Sequence, residues 1–198
     1  MVHDLLSKLS ELINSSDDIK LDDIPEYRLY ISQLEEFFDK KLGKAGSDEE
    51  DRKAISKTMI QNYIKDGLLM PPEGKCYNRS HVVLLALIYS LKSILSIRDI
   101  RRLLNPILSD IDNDDNSSEI INLYENYLRL KTKSVQNMSN SMYELAGEVM
   151  EQFIPGNKTD EEKDRIRLLL FVSVLIAEAN YYKRIAEFLI DEYFENID

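Results

Sequence analysis

The chain of 198 residues contains no tryptophan, one cysteine, six glycines and five prolines. A single cysteine, Cys76, excludes an internal disulfide and a zinc site built from several cysteines. Few glycines and prolines, with 31% charged and 43% hydrophobic residues, favour a mainly helical protein over a β-sandwich. The longest apolar run, Leu168 to Ala177, is interrupted by Ser173 and is too short to cross a bilayer of about 30 Å. With no signal-peptide pattern at the N-terminus, we expect a cytoplasmic protein that does not enter the membrane.

Basic residues are fewer than acidic ones: the chain has 25 Lys and Arg and 36 Asp and Glu, and its net charge is −11. Ten of the 25 nevertheless lie in residues 52–104, which hold three acids and therefore carry +7. The segments on either side, 1–51 and 105–198, carry −8 and −10. Because exposed charges more than about 8 Å apart are largely screened at physiological salt, local charge decides binding. The basic segment, residues 52–104, is therefore the part of the chain suited to nucleic acid.

A short helix followed by a compact loop lies inside the basic segment. Ser56 is suited to be the N-cap of this helix and Gly67 to end it, which leaves about three turns. Residues 68–77 contain two prolines and a glycine, which do not continue a helix, so we expect a small extended wing.

Apolar residues at helical spacing predict further helices on both sides. Helices are expected over residues 3–14 and 29–42 before the wing, over 78–91 after it, and from Ser96, where Asp99 completes a capping box. Pro106 and the polar run 110–118 predict a domain boundary. The predicted domains are thus residues 1–105 and residues 106–198.

The C-terminal domain is predicted to hold two long helices, over about 118–153 and 160–195, joined at residues 155–157. Residues 166–177 are apolar nearly all round, and a two-helix hairpin does not bury such a helix on every side. We therefore expect a homodimer. Packing on the N-terminal half of the chain, instead of a second subunit or together with one, is the alternative. An apolar effector of unknown identity between the two long helices is a further hypothesis, with ordinary core packing as its alternative. The residues considered as the lining of the effector site are Met138, Met142, Tyr181 and Tyr182.

A short helix, a wing and two more helices in this order are the layout of a winged helix-turn-helix, in an otherwise all-α chain. The residues from Ile55 to Leu104 resemble the MerR-type winged helix. The matching residues are Ile55, Ser56, Tyr63, Lys65, Gly67, Leu68, Leu69, Pro71, Pro72, Tyr77, Ser96, Ile100, Leu103 and Leu104. This resemblance implies a transcriptional regulator that binds double-stranded DNA.

The exposed side chains of the short helix are the candidate base-reading residues. Gln61 and Asn62 are the types that make paired hydrogen bonds to adenine, and Lys57 and Lys65 suit guanine or phosphate. Wing residues are expected to hold the flanking backbone. The full set of predicted DNA-binding residues is Lys57, Thr58, Gln61, Asn62, Lys65, Lys75, Tyr77 and Arg79.

A second resemblance covers more of the chain. Residues 25–38, residues 56–63 and the sequence Pro-Pro-Glu-Gly-Lys are similar to a bacterial family of unknown function, the YkrK-like group. This resemblance implies a bacterial origin and supplies no activity.

The alternative function is a protein-interaction module that keeps the winged fold without binding DNA. No catalytic triad, phosphate-binding loop or dinucleotide-binding motif is visible, and His3 and His81 lie far apart in sequence. We therefore expect no enzymatic activity, no cofactor and no metal site.

Overall fold

The computed structural model describes residues 2–14, 18–43, 54–109 and 117–194. Within these ranges lie seven α-helices and two short β-strands, which confirms the predicted all-α class and adds a small sheet. In chain order the elements are α1 (Val2–Asn14), β1 (Leu29–Tyr30), α2 (Ile31–Leu42), α3 (Lys57–Lys65), β2 (Cys76–Tyr77), α4 (Arg79–Leu91), α5 (Ile97–Ser109), α6 (Ser117–Met150) and α7 (Asp160–Tyr193).

Packing divides the chain into two compact units. One compact unit, called here the hairpin unit, consists of Met1–Ser16 and Arg129–Ala186. The second, called the core unit, consists of Asp17–Leu128 and Glu187–Asp198. Arg52 and Lys53 of the basic segment, and most of the polar run 110–118, lie outside the described residues.

Helix α4 is the centre of the core unit. Its residues from Ser80 to Ile88 are all buried, because the helix is apolar on nearly every side and other elements surround it. Those elements are α2, α3, α5, the first turns of α6 and the segment before β1. Their buried residues include Ile19, Leu34, Phe38, Ile60, Tyr63, Ile100, Leu104, Ile120 and Tyr124.

The small sheet pairs residues that are distant in sequence. Strands β1 and β2 are antiparallel, with Leu29 opposite Tyr77 and Tyr30 opposite Cys76. The prediction that a helix begins at Leu29 is therefore wrong by two residues. Leu29 is buried in the core unit, and pairing with β2 holds it extended, so helix α2 begins only at Ile31.

Pro106 and the polar run 110–118 together form the predicted domain boundary, and Pro106 itself lies inside a helix. Helix α5 continues through Pro106 to Ser109. A proline removes one backbone donor and usually disrupts a helix interior. Here it stands in the last turn, where Ile107 and Leu108 pack against the core and offset that cost.

The hairpin unit contains α1 and parts of α6 and α7. Its small core consists of Met142, Ala146 and Val149 from α6 with Phe171 from α7, and apolar residues of α1 pack against it. The predicted capping box before α7 is confirmed.

At that capping box, Thr159 Oγ1 accepts from the Glu162 N–H at 3.2 Å, and Glu162 Oε2 accepts from the Thr159 N–H at 2.8 Å. Helix α6 ends at Met150, three residues before the predicted end, and Phe153 beyond it is 85% exposed. Pro155 disfavours a helical conformation at Ile154, so the helix ends before that residue.

Candidate nucleic-acid interface

Helix α3 has the boundaries that its sequence predicted. The side chain of Ser56 accepts a hydrogen bond from the Met59 N–H at 3.3 Å, as an N-cap does. Gly67 has φ +70, and the following Leu68 N–H donates to the Tyr63 carbonyl at 2.8 Å. A glycine in this left-handed conformation ends the helix without steric cost. The nine residues between form a rod of about 14 Å at 1.5 Å per residue.

One face of α3 packs inward and the opposite face is open to solvent. Ile60 and Tyr63 are buried, and Met59 and Ile64 pack against the same core. The exposed residues of α3 are Lys57, Thr58, Gln61, Asn62 and Lys65. All five α3 residues predicted to contact DNA therefore share the open face, called here the α3 face.

Glu35 of α2 holds the start of α3. Its Oε1 accepts from the backbone N–H of Lys57 at 3.3 Å, and its Oε2 lies 3.7 Å from Lys57 Nζ. The Glu35 side chain is 12% exposed and the Lys57 side chain 50% exposed. A long, half-exposed ion pair of this kind contributes about 0–1 kcal/mol, so a phosphate can compete for Lys57.

The predicted wing folds as a tight turn that leads into β2. Leu68 and Leu69 are buried, and the chain reverses where Gly74 adopts φ +64 and the Cys76 N–H donates to the Glu73 carbonyl at 3.1 Å. Lys75 is exposed in this turn. An open cleft of about 450 Å³ separates the turn from the start of α2. Its lining is Tyr30, Ile31, Ser32, Pro72, Gly74, Lys75 and Tyr77.

Two predicted DNA-binding residues point into the protein. Tyr77 is 4% exposed and its ring packs edge-on against His81 at 5.3 Å, and burial raises the pKa of its hydroxyl. Arg79 is half-buried, and its Nη2 donates to the Leu21 carbonyl at 3.0 Å. These contacts tie the end of the wing and the start of α4 to the core, and they keep both side chains away from the α3 face.

The family comparison covers all of these elements. A family model described as "Domain of unknown function (DUF1836)" matches residues 19–127, which is more than half of the chain. The chain belongs to the DUF1836 family. No curated protein and no solved structure matches the chain. The expectation of a family of unknown function is confirmed. The DUF1836 domain lies entirely within the core unit and includes the α3 face and the wing.

Two other cations of the basic segment have structural partners within the core unit. Lys92 Nζ donates to the Ala54 carbonyl at 3.2 Å and lies 4.7 Å from the centroid of the Tyr89 ring. Burial lowers the pKa of this amine. Arg102 is 4% exposed and contacts the end of α7. Arg102 is thus buried, and Lys92 is half-buried and held by these contacts.

Arg101 of α5 lies next to the end of α3. It is not among the DNA-binding residues predicted from the sequence. A side-chain Cβ placed at Gly67 would lie 3.6 Å from Arg101 Nε. This is an ordinary van der Waals distance, so the guanidinium of Arg101 lies beside Gly67 while the left-handed φ of +70 is what requires glycine there. No local sequence signal predicts the proximity, since 34 residues separate the two positions. Within the basic segment, the exposed or half-exposed cations near the α3 face and the wing then include Lys57, Lys65, Lys75 and Arg101. Outside this segment, the half-exposed Arg28 forms an ion pair with Glu73 of the wing.

The described part of the DUF1836 chain contains no group of three His, Cys, Asp or Glu side chains placed to hold a metal ion. Its single cysteine, Cys76, is a half-buried thiol in β2. Among the described residues, no helix combines the length and the apolar character that crossing a membrane requires.

Proposed function

We propose that the DUF1836 domain binds double-stranded DNA through the α3 face, as a winged helix-turn-helix in a bacterial transcriptional regulator. The observation that carries the proposal is the α3 face itself. A helix held firmly on one side presents an adjacent Gln and Asn on the other, with a lysine at each end. The order β1, α2, α3, β2, α4, α5 supports this assignment, because a short exposed helix is followed directly by a strand-containing turn.

The dimensions and side chains of α3 suit a major groove. The groove is about 12 Å wide, and an α-helix with its side chains is about 10–12 Å in diameter, so α3 fits the groove. Gln61 and Asn62 then reach base edges, where each good paired contact discriminates by about 1–3 kcal/mol. Thr58 lies one turn earlier on the same face and contacts a base or the sugar-phosphate backbone.

Backbone contacts come from lysines and not from the buried wing residues. Lys57 and Lys65 flank the base-reading pair, and Lys75 lies on the exposed turn of the wing. Tyr77 and Arg79 support the wing from inside the domain and are left out of the contact set. The proposed contact residues are thus Lys57, Thr58, Gln61, Asn62, Lys65 and Lys75.

The first experiment selects bound fragments from bacterial genomic DNA with the purified full-length chain. The selected fragments are then titrated against wild type, the double variant Lys65→Ala with Lys75→Ala, and the control Lys133→Ala. Lys133 is exposed on α6 in the hairpin unit, outside the matched family region. The double variant should weaken binding at least tenfold and the control should not. Equal binding by all three proteins contradicts the proposed face.

A second variant tests the role of Glu35. Glu35→Gln keeps an oxygen that accepts from the Lys57 N–H and removes the negative charge beside Lys57. Because an ion pair of this kind contributes up to about 1 kcal/mol, its removal should raise DNA affinity by up to about fivefold. Weaker DNA binding by a folded Glu35→Gln protein would contradict competition between Glu35 and DNA for Lys57.

The protein-interaction module is the second candidate function. The observation in its favour is that Arg79, Lys92 and Arg102 donate hydrogen bonds to backbone carbonyls of the protein. The basic segment therefore exposes less positive charge than its +7 suggests. In this case the genomic selection yields no enriched sequence, and the chain co-purifies with a stoichiometric protein partner.

A further inference from the structure

A large apolar surface lies on α7 within the hairpin unit. Between residues 160 and 186 it exposes eight large apolar side chains, called here the exposed α7 face: Leu169, Leu170, Val172, Val174, Ile176, Tyr181, Tyr182 and Ile185. Their exposure ranges from 37% for Val174 to 72% for Tyr182. Within the same stretch, Phe171 is the residue that α7 buries in the core of the hairpin unit.

The spacing of these residues is that of helix-pairing seams. Leu169, Val172 and Ile176 follow one another at intervals of three and four, as do Leu170, Val174, Ala177 and Tyr181. Alternating steps of three and four make the heptad repeat that packs against a neighbouring helix. Phe171 and Leu175 form a third row, which faces the core of the hairpin unit. Helix α7 therefore has one row covered and two exposed rows that are suited to further helices.

The size of this surface matches what a stable interface needs. A large apolar side chain presents about 150–250 Å² when fully exposed, so eight at these exposures present on the order of 800 Å². A standard protein interface buries about 800 Å² on each partner. Monomeric proteins usually expose apolar patches of about 300–600 Å² at most.

We propose that the exposed α7 face pairs with the same face of a second copy of this chain, so that two hairpin units form a helical bundle. Residues 168–177 carry no charge and are centred between residues 172 and 173. An antiparallel crossing at that point aligns the uncharged stretch with its own copy. Shifted registers would place Arg167 or Glu178 against apolar side chains. A two-fold pair uses the same patch on both subunits, which a self-complementary stretch provides.

This inference rests on the hairpin unit alone and is independent of DNA binding. The test is sedimentation equilibrium of the full-length chain, with wild type compared against Leu169→Gln with Ile176→Gln and, separately, Val172→Glu. Gln136→Glu on α6 is the matched control, because Gln136 is an exposed polar residue of the same unit. Wild type and control should be dimers at micromolar concentration. The double variant removes four apolar side chains from each dimer and should raise the dissociation constant by about a hundredfold or more.

A second measurement, the dependence of Tm on protein concentration, tests the proposal even where a variant folds only when it is paired. The Tm of wild type and of the control should rise with protein concentration, because dissociation accompanies unfolding, whereas the Tm of both variants should not. A monomeric wild type with a Tm independent of concentration would overturn the proposal. A dimer that persists unchanged in both variants would also overturn it, since its interface would then lie elsewhere.

Discussion

Arg102 holds the end of α7 within the core unit, and its replacement gives the sharpest stability prediction. Its guanidinium donates to Asp191 Oδ1 at 2.7 Å and to the Ile190 and Phe194 carbonyls at 3.0 Å each. The side chain is 4% exposed, whereas that of Asp191 is 71% exposed. A cation at a helix C-terminus interacts favourably with the helix dipole, and its hydrogen bonds to the last carbonyls stabilise the helix end further.

The expected cost of Arg102→Met follows from these three bonds. A hydrogen bond to a charged group contributes about 1.5–3 kcal/mol, and the exposed Asp191 contributes at the low end because solvent screens it. Methionine keeps most of the apolar volume and avoids the cost of burying a guanidinium, which offsets part of the loss. We therefore expect a net loss of about 2–3 kcal/mol. For a chain of this size, that loss lowers the Tm by about 4–12 °C.

The assay is urea and thermal unfolding of Arg102→Met against Arg98→Met, an exposed arginine of the same helix. The control should stay within about 0.5 kcal/mol of wild type. Hydrogen exchange locates the effect, because the last turn of α7 should exchange faster in Arg102→Met alone. Equal stability of the two variants, with α7 exchange unchanged, would refute the stabilising role of these bonds.

Two further predictions concern the core unit. Tyr124→Phe should cost about 1–2 kcal/mol in urea unfolding, because the Tyr124 hydroxyl donates to the buried Ile19 carbonyl at 2.7 Å; a loss below 0.5 kcal/mol would contradict this. His81 is buried, and burial lowers its pKa below the ordinary 6.5 more strongly than the nearby Pro71 and Met70 carbonyls and Glu73 raise it. The unfolded chain therefore binds this proton more readily, so stability should fall as pH drops below about 6.5. His81→Gln, which keeps an acceptor for the Asn78 N–H, should flatten that fall; an unchanged pH dependence would show that other groups cause it.

Local signals in the sequence predicted most of the helices. Ser56, Gly67 and the pair Thr159 and Glu162 have the capping or terminating roles that their side chains and φ preferences predict. Such signals act within a few residues, so a single sequence contains them. The open face of α3 also follows from the spacing of Ile60, Tyr63 and their neighbours.

Contacts between distant residues could not be predicted in this way. Pairing of β1 with β2 joins positions about 48 residues apart, and it changes Leu29 from a helical to an extended residue. Tyr77 and Arg79 are residue types that suit an exposed wing. Only the folded chain shows that they contact His81 and Leu21. The net charge of the basic segment likewise overstated the positive charge that it exposes, because some of its cations form contacts inside the fold.

The dependence of DNA affinity on salt tests the central claim most directly. If Lys57, Lys65 and Lys75 each neutralise one phosphate, the logarithm of the binding constant should fall with the logarithm of salt concentration with a slope of roughly −2.7. The double variant Lys65→Ala with Lys75→Ala should reduce that slope to roughly −0.9, and Lys133→Ala should leave it unchanged. Equal slopes in all three proteins, or no measurable binding by wild type at low salt, would contradict DNA binding through the α3 face.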